Sequence, residues 1–252
     1  MALQKETFVV GGLAKMRRYG KGGAFLPLGL VSTIKQTIST KDLTLADTTT
    51  PQGGEYDSAS RIESMGLTMN WREFGPRNLG IMHWGSVERI PSADVASEEV
   101  TAEVGGTLML KQMPLSITSV TLKATPTTTF KADEDFIMTG AGIEVLDGGK
   151  IKTNDVLLVS YKGATVDIIQ TIVNSGEEYS ILFEGASAVG SQKRVNLLYH
   201  RVKFKPSASF DWISTEDFMG GEMEGKCLAD PRQVGAGKSR YLKITKEAPD
   251  AV

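Results

Sequence analysis

The stretch Gly235-Ala-Gly-Lys-Ser239 carries the residue types of a nucleotide site. A phosphate-binding loop follows G-x-x-x-x-G-K-[ST]; its backbone N–H groups and the helix that follows cradle the phosphates, and the lysine neutralises them. Here Arg232 stands where the first glycine belongs and Pro231 interrupts the lead-in. Tyr241, Leu242 and Ile244 then alternate as in a strand, where a helix is required. The sequence therefore predicts a tight turn delivering the last strand, with Lys238 a surface or inter-subunit charge. Two other motifs fail in the same way. Gly140 and Gly142 open a G-x-G-x-x-G, but Val145 takes the third glycine's place and no βαβ unit surrounds them. Gly185–Val189 imitates a nucleophile elbow around Ser187, yet Val189 replaces its closing glycine.

The remaining reactive residues are sparse. The two histidines, His83 and His200, have no cysteine or second histidine at ligand spacing, so no metal is expected. Cys227, the single cysteine, excludes an internal disulfide framework and reads as a small core residue. Asp133 and Asp135 share an i, i+2 spacing that could pair two carboxylates for acid–base work, but their polar surroundings predict a solvated turn. Glu222 and Glu224 have the same spacing within Glu-Met-Glu-Gly-Lys and predict a same-sign stripe on one strand face. No enzyme and no cofactor are expected.

The elements that must position these residues are mostly strands. At 252 residues, 40% hydrophobic and 23% charged, the chain can bury a sizeable core and holds no apolar run long enough for a membrane helix. The first ten residues lack the charged-then-apolar pattern of a secretory signal. Leu30–Thr40 and Lys41–Asp47 alternate and are rich in β-branched residues. The turn formers from Asp47 to Ser60 predict a long exposed loop, and Arg61–Phe74 a further strand with an irregularity at Gly66. Gly75–Ser86 is the one expected helix, short, with Pro76 in its first turn, Leu79 and Met82 at helical spacing and Gly85 ending it. Thereafter short strands recur, among them a hairpin about Leu146-Asp-Gly-Gly-Lys-Ile151 and strands over Ser209–Thr215 and Glu222–Asp230. The pattern predicts a mainly β sandwich or barrel with one short flanking helix.

Charge divides the chain. Residues 1–23 hold Lys5, Lys15, Arg17, Arg18 and Lys21 against Glu6 alone, a net of +4, so the rest is net −6. Five glycines within 11–23 predict an extended basic arm over 1–23 that docks on an acidic neighbour. The Thr-, Gly- and Asp-rich segment 116–165 predicts a small β insertion, leaving 24–115 and 166–252 as the main domain.

The order of these elements resembles the major tail (tail tube) proteins of long-tailed bacteriophages. The likeness lies in the P-x-G-G loop Pro51-Gln-Gly-Gly54 before an alternating strand, the short P-x-N-L helix Pro76-Arg-Asn-Leu79, and the closing motifs G-x-x-L-A-D at Gly225–Asp230 and G-x-G-x-S-x-Y at Gly235–Tyr241. It spans most of the chain outside 116–165. The resemblance implies a β-sandwich subunit that forms homohexameric rings, stacked into the hollow virion tail tube through which DNA passes at ejection. It implies further contacts with tape measure and terminator proteins, and assembly in the host cytoplasm. The insertion would decorate the tube exterior. Arg17, Arg18 and Lys21, with Thr48, Pro51, Gly53, Gly54 and Tyr56 of the long loop, are then candidates for contacts between rings. Glu222 and Glu224 are candidates to face a lumen that must not grip DNA through many Lys/Arg–phosphate contacts. A tail terminator or baseplate ring protein is the related alternative. A carbohydrate- or surface-binding sandwich using Trp71, Trp84 and Trp212 as a platform is another.

Overall fold

The computed structural model describes residues 10–189 and 193–248. Strand accounts for 55% of it and helix for 3%, so the fold is mainly β and sandwich-like, as the alternation predicts. The chain forms two compact units, one from residues up to Ser86 and from Gln170 onward, the other from Val87–Ile169.

The first unit opens with strand β1 (Val10–Arg18), so 10–18 is not a loose arm; residues 1–9 lie outside the described residues. Ala14 and Met16 alternate into the core, and β1 lies antiparallel along almost the whole of a later strand. Gly12 is needed there for closeness, since a Cβ would collide with the Glu184 carbonyl oxygen. A short β2 (Leu26–Pro27) pairs back onto β1. β3 (Val31–Ala46) and β4 (Glu55–Trp71) form one long antiparallel hairpin. The expected fourteen-residue loop thus shrinks to a tip over 47–54, because Glu55–Ser60 pair with β3 instead of staying free. Gly66 sits in regular pairing opposite Thr37; the register shifts fall elsewhere in the hairpin, at Val31/Thr33, Ser39/Thr40 and Leu45/Ala46.

Helix α1 (Pro76–Met82) follows, with Pro76 in its first turn and Met82 buried, as predicted. Its end differs in one respect: Trp84, not Gly85, takes the left-handed backbone, at φ 51°. The Trp84 indole N–H donates to the Phe204 carbonyl at 3.2 Å, which ties down this unfavourable conformation. Buried Asn78 donates to the carbonyls of Leu28 and Glu73, satisfying backbone that the helix does not.

The second unit holds β5 (Ser86–Ile90), β6 (Asp94–Thr101), β7 (Thr107–Met109), β8 (Pro114–Leu122), β9 (Thr125–Phe130), β10 (Phe136–Met138), β11 (Gly142–Val145), β12 (Val156–Gly163) and β13 (Val166–Gln170). They make sheets of order β6-β12-β8-β9, β10-β11-β7 and β13-β5, around a core that includes Val120, Ile143, Leu157, Val159 and Tyr161. The unit therefore begins at Val87 instead of 116 and ends at Ile169 instead of 165. β6 is held by β12 and β7 by β11, partners too far along the chain for local alternation to reveal. The Leu146–Ile151 turn exists, but the strands it joins, β11 and β12, belong to different sheets and are not a hairpin. Asp135 is not solvated: it is 2% exposed and accepts the N–H groups of Lys131 at 2.9 Å and Lys150 at 2.7 Å. Burial pushes its carboxyl up, and those bonds outweigh burial and hold it below the ordinary value.

The chain then returns to the first unit with β14 (Glu178–Ser187), β15 (Arg194–Phe204), β16 (Gly221–Cys227) and β17 (Leu242–Lys246). The sheet order is β2-β1-β14-β15-β16-β4-β3, with β17 pairing the far end of β15. One face buries Met16, Leu67, Met69, Trp71, Ile181, Val202, Phe204 and Met223 beside α1. Each such side chain stabilises the unit by roughly 1.5–3 kcal/mol on burial.

Candidate functional site

The residues with enzyme-like motifs are all engaged in structure. Gly235 and Gly237 have φ of 127° and 76°, the Lys238 N–H donates to the Gly235 carbonyl at 3.3 Å, and β17 follows, as the turn reading predicts. Arg232 stacks 4.1 Å over the Tyr19 ring and bonds Asp230, whose carboxylate also accepts the Tyr19 hydroxyl at 2.6 Å. Arg201 also lies 5.2 Å from the centre of that ring and makes two 2.7 Å bonds to Glu178. Burial opposes ionisation of Asp230, but bonds from Tyr19, Arg232 and Gln233 outweigh it and hold the carboxyl down at about 2. The G-x-x-L-A-D motif is thus a clasp joining the last loop to the end of β1.

Ser187 ends β14, its hydroxyl bonding the Val189 carbonyl. Buried Cys227 lies in the core, and burial pushes its thiol up to about 11. His200 is buried on β15, where burial lowers its pKa. His83 stacks on Trp212. Trp71 is wholly buried, Trp84 is committed to Phe204, and only Trp212 is widely exposed, so the three tryptophans make no common platform.

On the first unit, three exposed surfaces stand out among the described residues. The first is the outer β3–β4 hairpin. Every residue from Gln36 to Glu63 outside the tip's Asp47 is exposed, including Ile38, Leu43, Leu45, Tyr56 and Ile62. Its tip carries the predicted Thr48, Pro51, Gly53, Gly54 and Tyr56. The turn is shut by bonds from the Asp47 N–H to the Gly54 carbonyl at 2.8 Å and from the Gly53 N–H to the Thr50 carbonyl at 3.1 Å. Gly53 and Gly54 have φ of 67° and 140°, which only glycine adopts without strain. Asp47 accepts both the hydroxyl and the N–H of Thr49, which lowers its pKa.

The second surface is the β1–β2 turn. Arg18 pairs with Glu177 at 2.6 Å and Lys15 with Glu184. Arg17 lies 4.4 Å over Phe25 and donates to the Gly23 carbonyl. Neither Arg17 nor Lys21 has a carboxylate partner among the described residues.

The third surface was not foreseen. The expected strand over Ser209–Thr215 is a loop, anchored by Phe210 against Phe74, His83 and Trp212 at ring distances of 5.1, 5.5 and 4.6 Å. It leaves Ile213 87% and Phe218 93% exposed. Phe218, Leu30, Ser32, Arg72 and Asp217 line an open recess of about 390 Å³. The apolar residues of Ser209–Phe218 were the available signal, but their alternation imitates a strand.

Glu222 and Glu224 do lie exposed on one face of β16, with Met223 buried behind them. The face is not of one sign, however. Lys226 follows on the same side, Lys205 pairs with Glu224 at 3.1 Å, Lys203 stands opposite Lys226, and Lys35 lies one strand beyond Thr68. Strand pairing interleaves lysines that the β16 sequence alone does not contain.

No curated protein matches the chain at significance. One family model matches residues 7–245, nearly the full length and both units. The chain therefore belongs to the family described as protein of unknown function UCP028589.

Proposed function

We propose that the protein is a structural subunit of the tail-tube type: it assembles with copies of itself into hexameric rings that stack into a hollow tube, the conduit for phage DNA at ejection. The observation that carries this reading is the outer β3–β4 hairpin. A two-stranded ribbon in water is marginally stable by itself. Here about eight residue pairs, some 26 Å at 3.3 Å per residue, stand uncovered with apolar side chains on them. A monomer gains nothing from such a ribbon; a neighbour that covers it does.

The sheet's edges favour the same reading. β3 at one margin, and β1 beyond its short pairing with β2 at the other, leave backbone N–H and C=O groups open. Natural proteins blunt or cover such edges, and closure between subunits covers them without random aggregation. A single tube-type unit per chain fits six chains per ring. The polar face with Glu222 and Glu224, carrying both charge signs, suits a wall that DNA slides past, because the carboxylates offset the lysines that would hold phosphate.

The test is negative-stain microscopy of the purified full chain across a concentration series. Long hollow filaments of constant width are expected. Isolated rings that never stack would assign a terminator or baseplate role instead, and monomers at every concentration would sink the proposal.

A further inference from the structure

We infer that the acidic tip of the β3–β4 hairpin of one copy docks on the basic β1–β2 turn of the next, a head-to-tail contact that rests on the self-assembly reading above. From Asp42 to Asp57 the tip holds four carboxylates, Asp42, Asp47, Glu55 and Asp57, and no lysine or arginine. From Val10 to Leu30 the other segment holds Lys15, Arg17, Arg18 and Lys21 and no carboxylate. The tip carboxylates form no ion pair among the described residues; Asp42 bonds Ser60 and Asp47 bonds Thr49. On the basic side Arg17 and Lys21 are the cations left over once Lys15 and Arg18 have met Glu184 and Glu177.

Each charged group is set among exposed apolar residues: Leu43, Leu45 and Tyr56 on the hairpin, Leu13, Leu26 and Leu30 beside the turn. Interfaces combine such apolar anchors with complementary charge that sets register and partner. The length of the hairpin makes the contact intermolecular. Leu45, opposite Asp57, lies fourteen residues along β3 from Val31, about 46 Å at 3.3 Å per residue, whereas Leu26 beside the basic turn is five residues from Val31 and so within about 18 Å of that same end. A copy that cannot reach its own complement offers one surface to each neighbour. That is a heterologous contact, which propagates into rings or filaments.

Two charge-reversed full-length proteins test this, Glu55→Lys with Asp57→Lys, and Arg17→Glu with Lys21→Glu, followed by sedimentation velocity and negative stain. Lys21, Glu55 and Asp57 are exposed and Arg17 is half-exposed, and circular dichroism melting checks that both variants fold. Each alone should need a concentration more than about tenfold higher than the parent to assemble, since like charges then face each other. An equimolar mixture should recover assembly, because the reversed tip of one variant meets the reversed turn of the other, and the two unreversed surfaces meet as in the parent, each pair with opposite sign. Parent-like assembly of either variant alone, or a mixture no better than its components, overturns the inference while leaving self-assembly standing. A parent that never assembles removes the self-assembly reading itself, and the inference with it.

Discussion

From Met65 to Trp71, strand β4 buries every second side chain; from Glu55 to Glu63 it buries none. The same ribbon therefore passes from a half-buried sheet strand, with Met65, Leu67, Met69 and Trp71 in the core, to a segment with no covering layer at all. The inner half obeys the period-two rule because one face has a core to meet. In the outer half, Leu43 and Leu45 stand opposite Ala59 and Asp57 on one side, and Thr40 and Thr44 opposite Ile62 and Ser58 on the other, so neither side is consistently apolar. The inner half holds the subunit together. The outer half buries no side chain within the subunit, as the proposed contact with a neighbour requires.

That contrast can be broken most severely at its inner end. Trp71→Ala removes the largest side chain of the core and leaves a cavity against Phe204, whose ring lies edge-on at 6.0 Å. A loss of about 3–5 kcal/mol in unfolding free energy is expected from urea titration, with assembly failing because the subunit itself unfolds. Asp230→Asn acts less strongly, through the clasp on Tyr19 and Arg232. The Asp230 pKa is depressed to about 2, so its contribution is present above the unfolded-state value near 4 and is lost as pH falls from about 4 to about 2. About 2 kcal/mol should disappear at neutral pH, and the variant's urea midpoint should fall less steeply than the parent's through that acid window. The smallest effect on stability belongs to the outer hairpin. Replacing residues 43–59 by Asn-Gly, which closes Asp42 onto Ser60 in a two-residue turn, should shift unfolding by no more than about 0.5 kcal/mol. The shortened protein should nonetheless remain monomeric in sedimentation at concentrations where the parent forms filaments. A large loss of stability would show instead that the ribbon serves the monomer.

Sequence reading succeeded where one element supplies its own pattern. Glu222-Met-Glu-Gly-Lys-Cys227 alternates exposed and buried as written, and Pro76–Met82 is helical with Met82 inward. It failed where a partner strand decides. Gly11, Gly12 and the arginines make 10–18 look like a loop, yet register with β14 turns Ala14 and Met16 inward. Glu55–Ser60 lacks β-branched residues and forms a strand because β3 lies beside it. The second unit's true start was hidden for the same reason. Of the candidate surfaces, the hairpin tip and the basic turn were legible as glycine-rich and charged segments. The sign of the Glu222 face was legible only in part: Lys226 stands on β16 itself, but Lys35 and Lys203 come from β3 and β15 and Lys205 from just beyond β15.

The order of strands in the first unit has a consequence for the chain as it is made. β1 leaves the ribosome long before its partner β14, which ends at Ser187, and β4 must wait for β16 at Gly221–Cys227. The contiguous second unit has its strands once about residue 170 has been synthesised, whereas the first is incomplete until β17, Leu242–Lys246, has followed. A nascent chain therefore holds the β3–β4 hairpin without the sheet that fixes it. It also holds the basic turn without the strand that supports it. Neither half of the proposed contact between copies has its supporting strand before β14 and β16 have been made, so on the proposed assembly chain order would hold polymerisation back until those strands exist.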